Sequence, residues 1–356
     1  IIKFKLHPVL SMMVSALAIG IGAGMPLDLV ADTVTKGVGT TLQNIALLIG
    51  LGSMFGQILE ESGGAKKIAQ TFIDTFGQGH SSWALGITGL VIGTTVFFEA
   101  GVVVLIPLAF SVASQTKKST LYYGIALLAG LAAGYAFVPP SAGSVLVAGT
   151  LGVDLGTMIL VGIPTAFIAM AIAGVIWGRN VGSRIFTDVP EHFTSAEGAS
   201  DEKELPSFGM VLAIVLTPLC LILLGTLSSY IPMPAELASI LAFLGKPFVA
   251  LTLATLVAMH LLGARRGYSG AELKALLDRS LKPVGMILLV IACGGVIRWM
   301  LQDCGLGQVI GPMLEASPLP LVVVAFLIAV MVRASVGSSI VAMTMASGIM
   351  AAMPAV

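Results

Sequence analysis

The chain of 356 residues is 57% hydrophobic and only 10% charged, and its mean hydropathy is +1.02. A soluble domain carries about 25% charged residues, so this composition excludes an ordinary soluble protein. The formal net charge is zero, which argues against nucleic acid as a partner. Several apolar runs reach the roughly 20 residues that a helix needs to cross a bilayer. We therefore predict an all-α polytopic membrane protein in contact with lipid.

Apolar runs that end at charged residues, glycine or proline predict the spanning helices. They lie at 8–24, 42–59, 157–177, 208–229, 248–264 and 284–302. Short amphipathic stretches at 26–38 and 269–282 lie between spans. Three segments are longer than one span and contain proline, glycine or polar interruptions: 83–113, 121–153 and 319–356. These segments are predicted to be broken helices or re-entrant hairpins.

The second half of the chain repeats the first. Five residues recur 242 positions later, namely Gly52, Leu59, Glu61, Ser62 and Gly63 as Gly294, Leu301, Asp303, Cys304 and Gly305. A second anchor aligns 96–101 with 332–337 if the loop between the anchors is shortened by six residues. A long repeat in an apolar chain is typical of a secondary transporter whose site lies where the two repeats meet.

The repeat predicts how the chain is divided. A first repeat occupies 1–177, a polar linker 178–207, connecting spans 208–247 and a second repeat 248–356. The second repeat lacks a counterpart of 113–177, so we expect it to be truncated at its C-terminus.

Loop charges predict that the two repeats are inverted. Residues 265–282 carry a net charge of +3, whereas the equivalent residues 25–41 carry −1. Loops rich in Lys and Arg stay on the cytoplasmic side. The two equivalent loops are therefore expected on opposite sides of the membrane.

Glu99 is the strongest candidate for a functional residue. Sixteen mostly apolar residues precede it and fourteen follow it. A carboxylate at the bilayer centre costs about 3 kcal/mol on insertion scales, and burial favours its protonated form. Glu99 is thus predicted to carry a proton or to organise the pocket, with Thr95 one turn before it. A structural glutamate that bonds to a broken backbone, or one at a hairpin tip, is the alternative.

Pro139 and Pro140 interrupt an apolar run, because neither residue can continue a helix. Ser141 or Ser144, on either side of Gly143, can cap the next half-helix, whose N-terminus attracts anions. The second half offers similar elements at Gly337, Ser338 and Ser339. We expect these half-helix ends to bind a substrate carboxylate. The same hydroxyls and freed carbonyls would also suit Na⁺, and kinks with small-residue packing are the reading without a ligand.

Arg333 lies close to the position that the second anchor aligns with Glu99. Its guanidinium can bind a carboxylate through two parallel hydrogen bonds. An ion pair with Glu99 or a contact with lipid headgroups is the alternative. The three cysteines fit no metal motif, and we expect no metal and no cofactor other than the coupling ion.

Several of these motifs resemble those of the gluconate permease family, a group of organic-acid symporters. The matching segments follow in order at 24–28, 59–65, 97–101, 137–140, 205–209 and 337–342. The resemblance implies an ion-transporter fold in which a transport domain moves against a scaffold. It also implies import of gluconate or a related sugar acid with protons, across the inner membrane, by a homodimer.

The chain departs from the family at one important place. The family pattern after the two prolines is typically His-Pro-Gly-Pro, whereas this chain has Ser141-Ala142-Gly143-Ser144. A histidine that could carry a proton is therefore absent, which keeps Na⁺ open as the coupling ion. A channel would show a ring of polar pore-lining residues, and a membrane hydrolase a nucleophile–base pair or a metal cluster. The sequence shows neither, so we expect a transporter and not an enzyme.

Overall fold

Helices are the regular elements throughout the part of the chain that the computed structural model describes. This part comprises residues 7–96, 98–189, 205–228, 231, 234–305, 320–336 and 339–351. Positions 44, 78, 99, 100, 103, 104, 321, 335 and 336 are described for their backbone only. No β-strand occurs within these ranges, which confirms the predicted all-α class.

The first half contains a series of helices joined by short turns. They are α1 (Pro8–Gly22), α2 (Leu27–Glu61), α3 (Gly64–Gly93), α4 (Phe98–Thr116), α5 (Thr120–Phe137), α6 (Ala142–Leu151), α7 (Leu155–Ala169) and α8 (Trp177–Arg184). A π-helical segment, Met170–Ile176, joins α7 to α8 without interruption. The long α2 bends by 43° between Gln43 and Ile45.

The second half continues in the same way. Its helices are α9 (Phe208–Leu227), α10 (Ala235–Leu244), α11 (Pro247–Ala258), α12 (Gly270–Ser280), α13 (Lys282–Asp303), α14 (Leu321–Val336) and α15 (Ser339–Ala351). A π-helical turn, Met259–Gly263, and a 3₁₀ turn, Ala264–Arg266, extend α11.

Among the described residues, five helical stretches are long and apolar enough to cross a membrane, and the bent α2 makes a sixth. The five are Thr120–Leu151, Leu155–Arg184, Phe208–Leu227, Pro247–Arg266 and Gly270–Asp303. They contain the predicted spans at 157–177, 248–264 and 284–302, and Phe208–Leu227 closely matches the span at 208–229. The polytopic class is therefore confirmed.

Two predicted elements need correction. The span predicted at 8–24 is α1, whose 15 residues extend about 22 Å and are shorter than the hydrocarbon core. The amphipathic stretch predicted at 26–38 is not a separate element, because it continues through the bend of α2 into the span predicted at 42–59. The pattern of polar and apolar residues predicted a short amphipathic helix here, but it did not show that this helix continues into the next one.

Local sequence explains several helix boundaries. Pro8 occupies the first turn of α1, where a missing N–H costs nothing. Ser269 and Glu272 form a capping box at the start of α12, with Glu272 N–H donating to Ser269 Oγ at 3.2 Å and Ser269 N–H donating to Glu272 Oε2 at 2.7 Å. Gly63 separates α2 from α3 with a φ of 75°, a conformation that favours glycine.

The described helices belong to two compact units. Unit 1 contains Ile1–Leu47, Val145–Asp154 and Lys282–Val356, and unit 2 contains Leu48–Ser144 and Leu155–Leu281. Each unit therefore takes segments from both sequence repeats. The boundaries predicted from the sequence, at 177, 207 and 247, follow the repeat and not these compact units. They stay a prediction.

Equivalent contacts occur in the apolar cores of both units. In unit 1, Val34 of α2 shares a core cluster with Ile297 and Met300 of α13. In unit 2, the equivalent residues share a core cluster in the same way. Leu276 of α12 corresponds to Val34, and Phe55 and Ile58 of α2 correspond to Ile297 and Met300. In unit 1, α2 of the first repeat thus packs against α13 of the second repeat. In unit 2, α12 of the second repeat packs against α2 of the first repeat.

Short-range contacts hold both helix pairs together. In unit 1, a Cβ added at Gly37 would lie 2.6 Å from Val296 Cα, and Gly295 packs directly against Thr41. In unit 2, Ser53, the equivalent of Gly295, donates a hydrogen bond to the carbonyl of Ser280 at 2.7 Å. The two helix pairs are therefore held at short range by the absence of large side chains in one unit and by a hydrogen bond in the other.

Polar contacts fix the ends of the same helices. In unit 1, Lys36 Nζ lies 3.3 Å from Asp303 Oδ1 and Thr33 Oγ1 donates to Asp303 Oδ2 at 2.9 Å. In unit 2, Arg266 Nη1 donates to the carbonyl of Ser62 at 2.6 Å. Since Asp303 and Ser62 belong to the repeated anchor, each copy of the anchor is tied by a side chain that comes from the other repeat.

Replacement of Gly37 by Ala is expected to destabilise unit 1. The added methyl group would meet the backbone of α13, and overpacking of this kind costs about 1–3 kcal/mol. The matched control is Gly39→Ala on the same helix, where an added Cβ meets nothing within 4 Å. Thermal unfolding of the two purified variants measures the difference. Equal melting temperatures would contradict the close packing described here.

Candidate functional site

A small cavity in unit 2 lies where two helix interruptions approach α2. One interruption is the turn at 94–96 that follows α3, and the other is the segment at 138–141 between α5 and α6. The cavity has a volume of about 20 Å³, which is enough for one water molecule or a bare cation. We call it the break cavity, and its lining residues are Ile49, Gly52, Ser53, Thr95, Val96, Tyr135, Pro140, Ser141 and Ala142.

The two consecutive prolines produce the interruption between α5 and α6. The helix ends at Phe137, and Val138 adopts extended angles, with φ of −113° and ψ of 114°. Pro139 and Pro140 follow, and the chain returns to helix at Ala142. Because a proline lacks an N–H and clashes with the preceding turn, the helix cannot pass this point. The break predicted within 121–153 is confirmed.

Ser141 and Ser144 hold this interruption together. Ser141 Oγ accepts a hydrogen bond from the Ser144 N–H at 3.4 Å, which caps α6, and donates to the carbonyl of Tyr135 at 2.6 Å. The two Oγ atoms lie 2.7 Å apart, and Ser144 Oγ also donates to the carbonyl of Ser141 at 3.1 Å. Both serines and the intervening Gly143 are buried. Their direct contact with a substrate stays a prediction.

The other interruption packs against a glycine of α2. Gly56 lies directly against the carbonyl oxygen of Thr95, with no space for a side chain. Thr94 and Thr95 turn their hydroxyls back to the end of α3, where they donate to the carbonyls of Val91 at 2.8 Å and Ile92 at 3.2 Å. A larger residue at position 56 would therefore displace the turn that lines the cavity.

Four of the residues that line the break cavity carry a hydroxyl group, namely Ser53, Thr95, Tyr135 and Ser141. Ser53, Thr95 and Ser141 each donate their proton to a backbone carbonyl. The oxygen lone pairs of Ser53 and Thr95 are then the groups that remain for a neighbour inside the cavity, whereas Ser141 Oγ also accepts from the Ser144 N–H. Hydroxyl and carbonyl oxygens are the ligands that hard cations prefer. The chemistry of the lining therefore favours a small cation or a water molecule.

The size of the break cavity argues against a substrate at this point. A sugar acid has many non-hydrogen atoms, whereas the 20 Å³ of this cavity holds about one water molecule. In the conformation described here, the predicted serine site thus has room for an ion and not for a sugar acid.

Glu99 is the second residue of α4, immediately after the interruption at 94–96. A carboxylate in the first turn of a helix interacts favourably with the helix dipole. The side chain of Glu99 lies outside the described residues. Its role in proton coupling stays a prediction that rests on its position in the chain.

The candidate residues of the second half belong to unit 1. Arg333 is exposed in the last turn of α14, and Ser339 is the first residue of α15. Gly337 and Ser338 lie outside the described residues. The structure therefore gives no geometry for a ligand at the predicted site Gly337–Ser339.

The alignment of Arg333 with Glu99 needs correction. Glu99 follows the interruption in its repeat, whereas Arg333 precedes the end of α14 at Val336. The helices α4 and α15 begin 241 positions apart, close to the offset of the first anchor. The six-residue shortening assumed for the second anchor is therefore not needed. The error arose because short apolar motifs of small residues align equally well at several offsets.

Arg298 of α13 is not among the residues predicted from the sequence. This arginine lies within a membrane-spanning stretch, and its Nε is buried without a hydrogen-bond partner among the described residues. The first anchor pairs it with Gly56, the glycine beside the break cavity. The repeat could have indicated Arg298, because the first anchor aligns this charged residue with a glycine.

The described residues contain no group of three or more His, Cys, Asp or Glu side chains arranged for a metal ion. Cys220 is exposed, Cys293 is buried and Cys304 is intermediate. The expectation that no cofactor is used stays a prediction.

Two solved structures share this fold. The MtrF protein of Neisseria gonorrhoeae, described as illuminating a class of antimetabolite efflux pumps, matches with a TM-score of 0.70 and 16% identity over 99% of this chain and 81% of its own. The YdaH transporter of Alcanivorax borkumensis matches with a TM-score of 0.63 and 17% identity over 97% of this chain and 82% of its own. The fold, with its apolar helices and interrupted spans, is that of a multi-pass membrane protein.

The family model described as GntP family permease matches residues 1–356. The chain belongs to this family, so it is a permease and not an enzyme. The resemblance to gluconate permeases seen in the sequence is confirmed.

Curated relatives agree with this assignment. The low-affinity gluconate transporter of Escherichia coli K12 is 37% identical over 350 residues, which cover 98% of this chain and 78% of the relative. A gluconate permease of Pseudomonas aeruginosa is 36% identical over 98% of this chain and 78% of its own length. The D-serine transporter DsdX of Escherichia coli O6:H1 is 35% identical over 99% of this chain and 79% of its own length.

Replacement of Gly56 by Ala is expected to reduce transport strongly and to lower the melting temperature. The added methyl group would overlap the carbonyl oxygen of Thr95 and push the turn at 94–96 away from α2. The control is Gly50→Ala on the same helix, where a Cβ meets only the side chain of Leu281, at 3.8 Å. Uptake assays and thermal unfolding would be compared for both variants. Normal behaviour of Gly56→Ala would exclude tight contact at this turn.

Proposed function

We propose that this permease imports a small hydroxylated organic acid, gluconate or a related sugar acid, by symport with a proton. The observation that carries the proposal is the pair of helix interruptions that line one cavity, the first of them three residues before Glu99, in a chain of the GntP permease family. Interrupted helices expose backbone groups and half-helix ends, which are the parts from which secondary transporters build their sites.

The names of the relatives support the substrate class. Gluconate and D-serine are the substrates named for the relatives at 35–37% identity. Both molecules carry a carboxylate and at least one hydroxyl group, and they differ in size and in the amino group. A recognition site shared across such relatives would be directed at the carboxylate. The choice among hydroxylated acids then depends on the contacts to the rest of the molecule.

The position of Glu99 supports the proton as coupling ion. It follows the interruption at 94–96, in a segment whose neighbours are mostly apolar. Moving such a carboxyl between a wet and a dry environment changes its proton affinity, because burial favours the neutral form. A conformational change at the interruption would therefore bind or release a proton.

The proposal also includes the location and assembly of the protein. The matching relatives are bacterial, which supports the inner membrane as the location. A homodimer is the assembly implied by the family resemblance. The mass of the purified protein in detergent, corrected for the bound detergent, would distinguish a dimer from a monomer.

Replacement of Glu99 by Gln is expected to abolish accumulation of substrate driven by a pH gradient, while exchange of internal for external substrate continues. The amide keeps the shape of the carboxyl but cannot release a proton. Proteoliposomes loaded with gluconate would give both measurements. The control variant is Asp74→Asn, an exposed acid on α3. Undiminished uphill uptake by Glu99→Gln would remove Glu99 as the proton carrier.

The break cavity favours a second candidate, symport with Na⁺. Its volume suits a single cation, and its lining supplies hydroxyl oxygens from Ser53, Thr95 and Ser141. The absence of a histidine after Pro140 also favours Na⁺ over a proton, because a readily titrated group is missing there.

Uptake at a fixed pH with and without Na⁺ decides between the two ions. If Na⁺ is coupled, Thr95→Val should raise the Na⁺ concentration for half-maximal uptake by about tenfold, the effect of losing about 1.4 kcal/mol of ligand interaction. The matched control is Thr94→Val, which removes a neighbouring hydroxyl that does not line the cavity. Uptake that is independent of Na⁺ in the parent protein would reject this second candidate.

A further inference from the structure

We infer that Arg298 is the residue that binds the substrate carboxylate in unit 1, an inference that rests on the proposed function. Arg298 lies on α13, five residues before Asp303, within the apolar stretch Gly270–Asp303. A permanently charged guanidinium inside a membrane span is costly, and residues of this kind are usually functional. The question is therefore which anion it binds.

The side chain of Arg298 lacks an acidic partner within the described part of the chain. The ion pair found there, between Lys36 and Asp303, already uses the nearest acid on α13. The Nε of Arg298 is buried and has no hydrogen-bond acceptor among the described residues. Arg298 as a whole is half-buried, so part of its side chain remains accessible to a ligand.

The charges around Trp299 leave a positive excess. Lys36 Nζ lies 3.6 Å from the centre of the Trp299 ring, and Arg298 Cζ lies 5.8 Å from it. Asp303 neutralises Lys36, at 3.3 Å, so the cluster of two cations and one acid carries one uncompensated positive charge. A small organic carboxylate would compensate this charge through two parallel hydrogen bonds to the guanidinium.

Small residues of α13 and α15 lie beside Arg298. The helices α13 and α15 pack with Gly294 against Thr344 and, one turn further on, with Arg298 against Gly348. A Cβ added at Gly348 would lie 3.5 Å from Arg298 Cβ, and this position of α15 carries no side chain. The hydroxyls of Thr344 and Ser347 lie on the same helix and donate to the carbonyls of Ile340 and Met343.

The comparison of the repeats agrees with this assignment. The equivalent of Arg298 in the first repeat is Gly56, which packs against the turn beside the break cavity. One repeat therefore has a glycine that brings backbone and hydroxyl oxygens together, and the other has a guanidinium at the same place in the helix. The first arrangement is suited to a cation and the second to a carboxylate.

Fluorescence of Trp299 provides the test. The chain has three tryptophans, so Trp83→Phe with Trp177→Phe leaves Trp299 as the single reporter beside Arg298. Gluconate, glycerate and D-serine would be titrated into the purified protein, with the neutral polyol glucitol as the ligand control. We expect a saturable change for carboxylates and none for glucitol.

In this background, Arg298→Gln is expected to weaken carboxylate binding by about 10- to 100-fold, the range for loss of hydrogen bonds to a charged group. Arg298→Lys keeps the charge and loses the planar fork, so its affinity should fall between those of the parent and the Gln variant. The control variant is Arg184→Gln, an exposed arginine at the end of α8, which should bind as the parent does. Size-exclusion profiles identify the folded fraction of each variant, and if the Gln variant does not fold, the Lys variant decides.

The outcomes separate the inference from the proposed function. If the parent protein binds none of the carboxylates, the proposed function fails and the inference fails with it. If the parent binds them and folded Arg298→Gln or Arg298→Lys binds equally well, only the role of Arg298 is rejected. A variant that melts at a lower temperature but keeps the parent affinity would show that Arg298 is a structural residue, which also overturns the inference.

Discussion

The rest of the structure depends on one constraint, that backbone polar groups inside a membrane must find their partners within the protein. An interrupted helix leaves N–H and C=O groups without their usual bonds, so it is stable only where other parts of the chain cover it. In unit 2 this cover comes from α2, whose Gly52 and Gly56 bring the helix close to both interruptions. Ser141 Oγ bonds the carbonyl of Tyr135, which lacks a helical N–H donor because the residue four positions later is Pro139. Thr95 Oγ1 bonds the carbonyl of Ile92 at the end of α3. The break cavity is the small space that remains.

The same helix position has opposite chemistry in the two repeats. Gly56 permits the approach of backbone oxygens in unit 2, whereas Arg298 supplies a positive charge in unit 1. In the proposed symport a cation and an anion would be bound together, and the two repeats offer one candidate position for each. The duplicated helices define the two candidate positions, and under this proposal single residues at matched places would determine the charge of the ligand.

Reciprocal packing explains why both units need both repeats. Unit 1 holds α2 of the first repeat against α13 of the second, and unit 2 holds α12 of the second repeat against the later part of α2. Neither repeat contains its own partner for these surfaces. The Lys36–Asp303 pair and the Arg266–Ser62 hydrogen bond fasten the ends of the exchanged helices. A repeat expressed alone would expose the apolar faces that these contacts cover.

The sequence by itself determined the membrane class, most of the spans, the repeat and the break at Pro139–Pro140. These features follow from local chemistry, because apolar length, missing N–H groups and matched motifs act over a few residues. Tertiary structure alone decided that Ser141 and Ser144 bond to each other, that Gly56 is in contact with Thr95, and that the partner of Asp303 is Lys36. Such contacts join residues up to 267 positions apart, and their identity depends on which helices pack together, which no short stretch of sequence specifies.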